Sequence, residues 1–379
     1  MTDQVSVYSL VEDADQDTVK SLIEAAYQAA GTGTRHARPQ AQIKAAEEAD
    51  TGGLKPGEKF KITPFEDLIG VEPSVYRQIE AAINSGKQHL MFYGPPGTGK
   101  TRLARLVAGL LNGRNWTLIT GSADWSSQDI IGGYQPMAGG TVKFFRGVLL
   151  RDFDRPLIID ELNRCDIDKV IGPLFTVLSG QSTTLPYRTD AGDADSLQYV
   201  ILPNPKADAA AHEYAPGVNW RLIATINSID KASLYQMSYA LSRRFGWIYV
   251  DAPSDTKGFI QDYLEKIKKR EPRVVDGTPP LAAIWDAVNS VRVLGAAPII
   301  DAINVIESLA PEADLLGPPQ GAALIAYLDA FDLYVLPLLD GILRHEAEEI
   351  ASRVIAALGL SEEASETARL RRRLTNVAV

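Results

Sequence analysis

The residues best suited to chemistry are Gly94-Pro95-Pro96-Gly97-Thr98-Gly99-Lys100-Thr101, a run with the spacing of a loop that cradles phosphate. It follows the apolar stretch His89-Leu90-Met91-Phe92-Tyr93 and opens into Arg102-Leu103-Ala104-Arg105-Leu106, so strand, turn and helix start fall in the order such a loop needs. Glycines let successive N–H groups face phosphate oxygens, and the helix beyond adds positive potential. Lys100 is then expected to reach the β- and γ-phosphates and Thr101 to ligate Mg²⁺, with Arg102 the last member of the nucleotide-contacting set.

Two further segments complete a hydrolytic arrangement. Leu157-Ile158-Ile159 runs into Asp160-Glu161, which puts two carboxylates at the end of an apolar strand. That sheet edge is where ligands bind in open α/β folds. Asp160 is expected to hold Mg²⁺ through its water shell and Glu161 to orient and polarise a water. The strand Arg221–Ile226 ends in Asn227, a neutral amide able to bond a γ-phosphate oxygen and that water. Arg243 and Arg244, in Leu241-Ser242-Arg243-Arg244-Phe245, are candidates to stabilise transition-state charge in a neighbouring copy, or else they solvate a helix end.

These residues need a scaffold, and 379 residues suffice for two or three domains. Strand candidates at Trp116–Thr120, Pro156–Asp160, Trp220–Asn227 and Gly246–Asp251 alternate with helices, the mark of a parallel sheet covered on both faces. After Pro253 only helical stripes remain, such as Phe259, Ile260, Tyr263, Leu264 and Ile267, and Leu324, Tyr327, Leu328 and Phe331, all read as core faces. The expected division is an N-terminal helix (Val19 to Ala30, capped by Asp17) and linker over 1–60, an α/β nucleotide-binding domain over 61–253 and a helical domain over 254–379. Gly139-Gly140 between Tyr134–Met137 and Thr141–Phe145 predicts a hairpin, and Thr183–Tyr187 with Leu197–Leu202 a second. Glu362, Glu363 and Glu366 ahead of Arg369, Arg371, Arg372 and Arg373 suit one helix whose dipole they complement.

Composition narrows the function. The net charge of −10 gives no overall footprint for nucleic acid or an anionic membrane, although local basic patches stay open. Cys165 is the lone cysteine, which excludes an intrachain disulfide and suits a cytoplasmic setting. The four histidines are scattered, against a metal-ligand set. No apolar run reads as long enough to span a bilayer, and the acidic start lacks signal-peptide character.

The motif set resembles the AAA+ ATPases, and among them the branch of the MoxR and McrB families. Asp160-Glu161-Leu162-Asn163-Arg164 is close to that branch's Asp-Glu-Ile-Asn-Arg. Gly132-Gly133-Tyr134-Gln135-Pro136 resembles the McrB-type Gly-Gly-Tyr-x-Pro, and Asn227-Ser228-Ile229-Asp230 its Asn-Thr-Ala-Asp. The resemblance implies a P-loop AAA+ module: a five-stranded parallel core sheet flanked by helices, an all-helical lid, and a ring of copies, usually six, with nucleotide between subunits. It makes Asn227 sensor 1 and Arg243 or Arg244 the arginine finger, Arg244 being preferred because it directly precedes Phe245. MoxR-like lids carry Gly-Ala-Ser-Pro-Arg, whose arginine is sensor 2, whereas this chain reads Gly295-Ala296-Ala297-Pro298-Ile299, which leaves sensor 2 to another residue such as Arg292 or unassigned. The expected activity is Mg²⁺-dependent ATP hydrolysis coupled to remodelling of a partner protein. A McrB-like GTPase driving DNA translocation for a nuclease, and a nucleotide-held scaffold with little turnover, are the alternatives.

Overall fold

The computed structural model describes residues 58–227, 242–273 and 276–379; the expected helix near Val19 and the tripeptide Ser228-Ile229-Asp230 lie outside them. The described residues belong to one compact unit.

A cluster of buried side chains begins at Phe60 and Ile62 and includes α1, Pro73–Asn84, which starts with proline at its first position and buries Val75, Tyr76, Ile79 and Ile83. β1, His89–Gly94, follows, and its almost unbroken burial marks a strand covered on both faces. The phosphate-loop run then leads into α2, Lys100–Asn112. β2, Thr117–Thr120, precedes the hairpin of β3, Gly132–Pro136, and β4, Val142–Arg146. β5, Leu157–Asp160, is followed by β6, Thr183–Arg188, β7, Gln198–Ile201, and β8, Glu213–Tyr214, where β6 and β7 are antiparallel and β8 joins β7 in parallel. β9, Leu222–Asn227, and β10, Phe245–Tyr249, complete a five-stranded sheet of order β10-β1-β9-β5-β2, parallel throughout. Both predicted hairpins form; β8 was not foreseen, because two residues carry no period.

Strand alternation sorts the sheet's side chains. Leu90, Phe92, Ile158 and Ile223 join one core with Leu103, Val107 and Leu111 of α2, while Met91, Leu157, Ile159, Leu222 and Ala224 face the opposite core with Val170 and Leu174. By the same parity Asp160, Thr225 and Asn227 fall on the α2 side, which decides what meets the start of that helix.

From Thr256 onward the structure is helical: α3, Thr256–Asp262, running into a π-helical turn Tyr263–Ile267, then α4, Pro280–Asn289, α5, Ala297–Leu309, α6, Ala322–Ala330, α7, Arg344–Leu358, and α8, Ser365–Val377. Their core centres on Trp285, whose indole N–H donates to Leu294 O at 2.9 Å. One run, Ala322–Leu339, is long and apolar enough by composition to cross a membrane, against the sequence expectation; Tyr327, Leu328, Phe331, Val335 and Leu339 within it are buried in this helical core. The C-terminal arginines also differ from expectation. They lie inside α8, which begins after Glu362 and Glu363, and two of them reach across to acids of other segments, Arg369 to Asp329 and Asp332 at 2.8 and 2.6 Å and Arg371 to Glu348 at 2.7 Å. Pairing between elements replaces the dipole argument.

His89, 3% exposed at the start of β1, shows how tightly the sheet is closed. Its Nδ1 accepts the Leu222 N–H at 3.1 Å and its ring packs on Trp220 and Phe245. Burial, helped by the Arg221 charge, pushes the imidazole pKa down to about 3. The folded value lies below the unfolded one, so the stability from neutral His89 is fully present above pH 6.5 and is lost as pH falls toward 3, at up to about 1.4 kcal/mol per pH unit. Between pH 7 and 4.5 the denaturant midpoint of wild type should therefore fall more steeply than that of His89→Asn, which lacks one proton of slope. Parallel curves would remove His89 from acid unfolding.

Candidate functional site

Loop, strand ends and lid meet at the carboxyl edge of the sheet. Gly97 and Gly99 have φ of +76° and +84°, backbone that side chains disfavour, and Gly99 sits directly before the first turn of α2. Lys100 and Thr101 are thereby brought over the ends of β1 and β5. Lys100 Nζ donates to the carbonyls of Gly94 at 3.0 Å and Pro95 at 2.5 Å, and Thr98 Oγ1 donates to Pro95 O at 3.2 Å. Lys100 is 5% exposed; burial pushes its ammonium pKa down to about 8, while Asp160 and Glu161 pull the other way.

Asp160 is the hub. Its Oδ1 accepts both the Thr101 and the Thr225 hydroxyl at 2.6 Å, and Thr225 Oγ1 in turn accepts the Glu161 N–H at 3.0 Å. Glu161 leaves β5 with φ of +51°, a left-handed backbone rare outside glycine. Such strain is held where the surroundings over-determine it. Asn227 Nδ2 lies 3.5 Å from Glu161 Oε1, at the limit of a hydrogen bond, and Arg164 forms an ion pair with the same carboxylate. Pro96, Gly97, Lys100, Thr101, Asp160, Glu161 and Asn227 line one cleft of about 450 Å³.

This donor set fits a small hard cation. The Thr101 hydroxyl and Asp160 carboxylate are adjacent oxygens, and Mg²⁺ characteristically takes one or two protein oxygens and fills its shell with water and phosphate. No cluster of three or more His, Cys, Asp or Glu side chains among the described residues could hold a metal by itself, so phosphate would have to share in the binding.

Beside the cleft runs an apolar slot of about 320 Å³ walled by Leu68, Ile69, Phe259, Tyr263, Ile267 and Ile300, with Asp67 and Arg102 ion-paired at it. Its apolar lining suits a heteroaromatic ring. Sequence reasoning read Phe259, Tyr263 and Ile267 as core alone and missed Thr225. Thr225 had a signal: it is a polar residue inside an apolar strand, two positions before Asn227 and so on the same face. The slot had none, since residues 67–69 and 259–267 meet only in the folded chain.

Three candidates lie elsewhere. Arg243 and Arg244 line a separate cavity with Lys87, Ser179 and Asn204, where Arg244 Nε donates to Ser179 Oγ at 3.1 Å and Lys87 Nζ to Arg243 O at 2.9 Å. That cavity adjoins Phe245, which pairs with His89 at the opposite end of β1 from Gly94, roughly 16 Å of strand away. Arg292, the alternative lid cation, donates to the carbonyls of Leu338 and Asp340 at 2.6 and 3.0 Å instead of entering the cleft.

Residues 89–245 match the model of an AAA domain of the dynein-related subfamily. Over 206 residues the chain is 29% identical to the Type IV methyl-directed restriction enzyme EcoKMcrB subunit of Escherichia coli K12, covering 50% of this chain and 40% of that protein. Over 105 residues it is 34% identical to the Holliday junction branch migration complex subunit RuvB of Desulfosudis oleivorans, covering 26% and 29%. The match thus spans less than half the length of either relative. The RuvB branch migration motor of Thermotoga maritima superposes with a TM-score of 0.38 at 17% identity, over 79% of this chain and 84% of that one.

Proposed function

This chain carries the module of the AAA+ ATPases of the MoxR/McrB-like branch, and on that premise we propose that it couples Mg²⁺-dependent ATP hydrolysis to remodelling of a partner protein within a ring of its own copies. The observation that carries the reading is the division of labour between two adjacent acids. Asp160 is tied to Thr101 and Thr225, whereas Glu161 turns aside toward Asn227, all in the cleft that holds Lys100. Lys100 neutralises phosphate charge, and Thr101 and Asp160 would hold Mg²⁺, which would supply positive charge at the phosphates. Glu161 accepts a hydrogen bond from a water at the γ-phosphate, and Asn227 steadies both. Arg244, too far from its own cleft, serves the cleft of the next copy. Both named relatives are subunits of larger assemblies, which supports a subunit's role here. A cytoplasmic location accompanies this reading.

Phosphate release measured with ATP and with GTP, each titrated against the other, tests substrate and turnover together. ATP should be hydrolysed and GTP should compete poorly. The resemblance of Gly132-Gly133-Tyr134 and Asn227-Ser228-Ile229-Asp230 to McrB-type runs supports a GTPase as second reading, and preferential GTP turnover would replace the first with it. Negligible turnover of both would leave a scaffold. Mixing tests the shared site: Arg244→Ala and Lys100→Ala should each lose about 10³-fold alone. Random mixed rings should recover roughly a quarter of wild-type activity, because one variant keeps the cleft and the other the finger. No recovery would mean that Arg244 does not act in trans.

A further inference from the structure

The lid hydrogen-bonds to the phosphate loop through backbone groups. Gly295 N–H donates to Pro96 O at 2.9 Å and Ala297 N–H, at the start of α5, donates to Gly97 O at 3.0 Å. A Cβ at Gly295 would lie 2.2 Å from Gly97 C and 2.4 Å from both Gly97 O and Thr98 N, distances that no side chain tolerates. On the other side of the contact, a Cβ at Gly97 would meet Pro298 Cδ at 3.0 Å. Two glycines therefore stand back to back. The next lid residue, Ile299, is 1% exposed in the lid core, so it sends nothing into the cleft, whose lid wall is Ala297.

A planar trans peptide points its N–H opposite to its C=O. Tying the carbonyls of Pro96 and Gly97 to the lid therefore aims the N–H groups of Gly97 and Thr98 away from it, in the orientation a phosphate-binding loop requires. We propose that Gly295 is a positioning residue: its missing side chain lets the lid clip the phosphate loop, which preorients the loop for phosphate and carries any rotation of its peptides into α5. This rests on the nucleotide site proposed above.

Gly295→Ala in the full chain tests it, with affinity read by a fluorescent ATP analogue, kcat and KM by phosphate release, and lid response by amide hydrogen exchange. Wild type should protect the Gly295 and Ala297 amides, and more strongly with the ATP analogue than with ADP. In the variant, analogue Kd and KM should rise about tenfold, the loss of roughly one to two net hydrogen bonds, while kcat changes by less than threefold. Exchange in the first turn of α5 should no longer respond to nucleotide. Wild-type affinity with an intact α5 response in the variant would overturn the clip alone. Absence of analogue binding by wild type would overturn the nucleotide site and this inference with it. If Gly295→Ala fails to fold, the wild-type amides still decide: equal protection with and without the analogue sinks the proposal.

Discussion

Glu161→Gln is expected to lower steady-state phosphate release by about 10²- to 10³-fold, the range for loss of a group that takes a proton or orients a nucleophile. Binding should survive. The amide occupies the same volume, retains the side-chain length that reaches Asn227, and tolerates the left-handed backbone at this position no worse than Glu does. Asp160 keeps both hydroxyl partners, so the oxygen pair suited to Mg²⁺ is untouched. What disappears is the negative charge that accepts from water and pairs with Arg164. Affinity for MgATP, measured by titration calorimetry, should stay within about threefold of wild type, because uniform binding and transition-state binding are separable. Equal rates of phosphate release in the two proteins would remove Glu161 from the chemistry.

Lys100→Ala should act on binding itself, weakening MgATP affinity by about 10²-fold or more, since hydrogen bonds to a charged group contribute about 1.5–3 kcal/mol each. In the free protein the ammonium is held by the carbonyls of Gly94 and Pro95, which it must exchange for phosphate oxygens. Its depressed pKa of about 8 adds a signature in pH. Below that value Lys100 is already charged and adds no pH dependence of its own to binding. Above it the free protein has lost the proton that the phosphates demand, so wild-type affinity should fall by up to tenfold per pH unit. The variant should show no such fall. For the free fold the sign is reversed: its pKa lies below the unfolded value of 10.5, so stability rises as pH climbs from about 8 to 10.5. A pH-independent affinity in wild type up to pH 9.5 would contradict the placement of Lys100 against phosphate.

The elements and the chemistry differed in how visible they were along the chain. The strand ends carrying Asp160 and Asn227 could be read because an apolar run stopping at a polar residue is a local pattern. The paired hairpins were visible through Gly139-Gly140 and the spacing around it. Thr225 stands out along the chain as a polar residue in an apolar strand, but its partner depends on the register of β5 beside β9, which sets its hydroxyl against Asp160. The stripe of Phe259, Tyr263 and Ile267 gave the right helix and an incomplete role, since a 3.6-residue period reports that a face is apolar and leaves open whether protein or ligand covers it.

By itself the sequence determined the glycine-rich loop, the two acids, the Asn227 amide at a strand end and the alternation of strands and helices. Each is specified within a dozen residues by backbone preference, hydrophobic period or turn chemistry. Only the tertiary structure decided that β5 and β9 lie side by side, that Arg243 and Arg244 sit at the far end of the sheet from the cleft, and that Gly295 presses its bare backbone on Gly97. Those relations join segments up to about two hundred residues apart through sheet order and close packing, and no local preference encodes them.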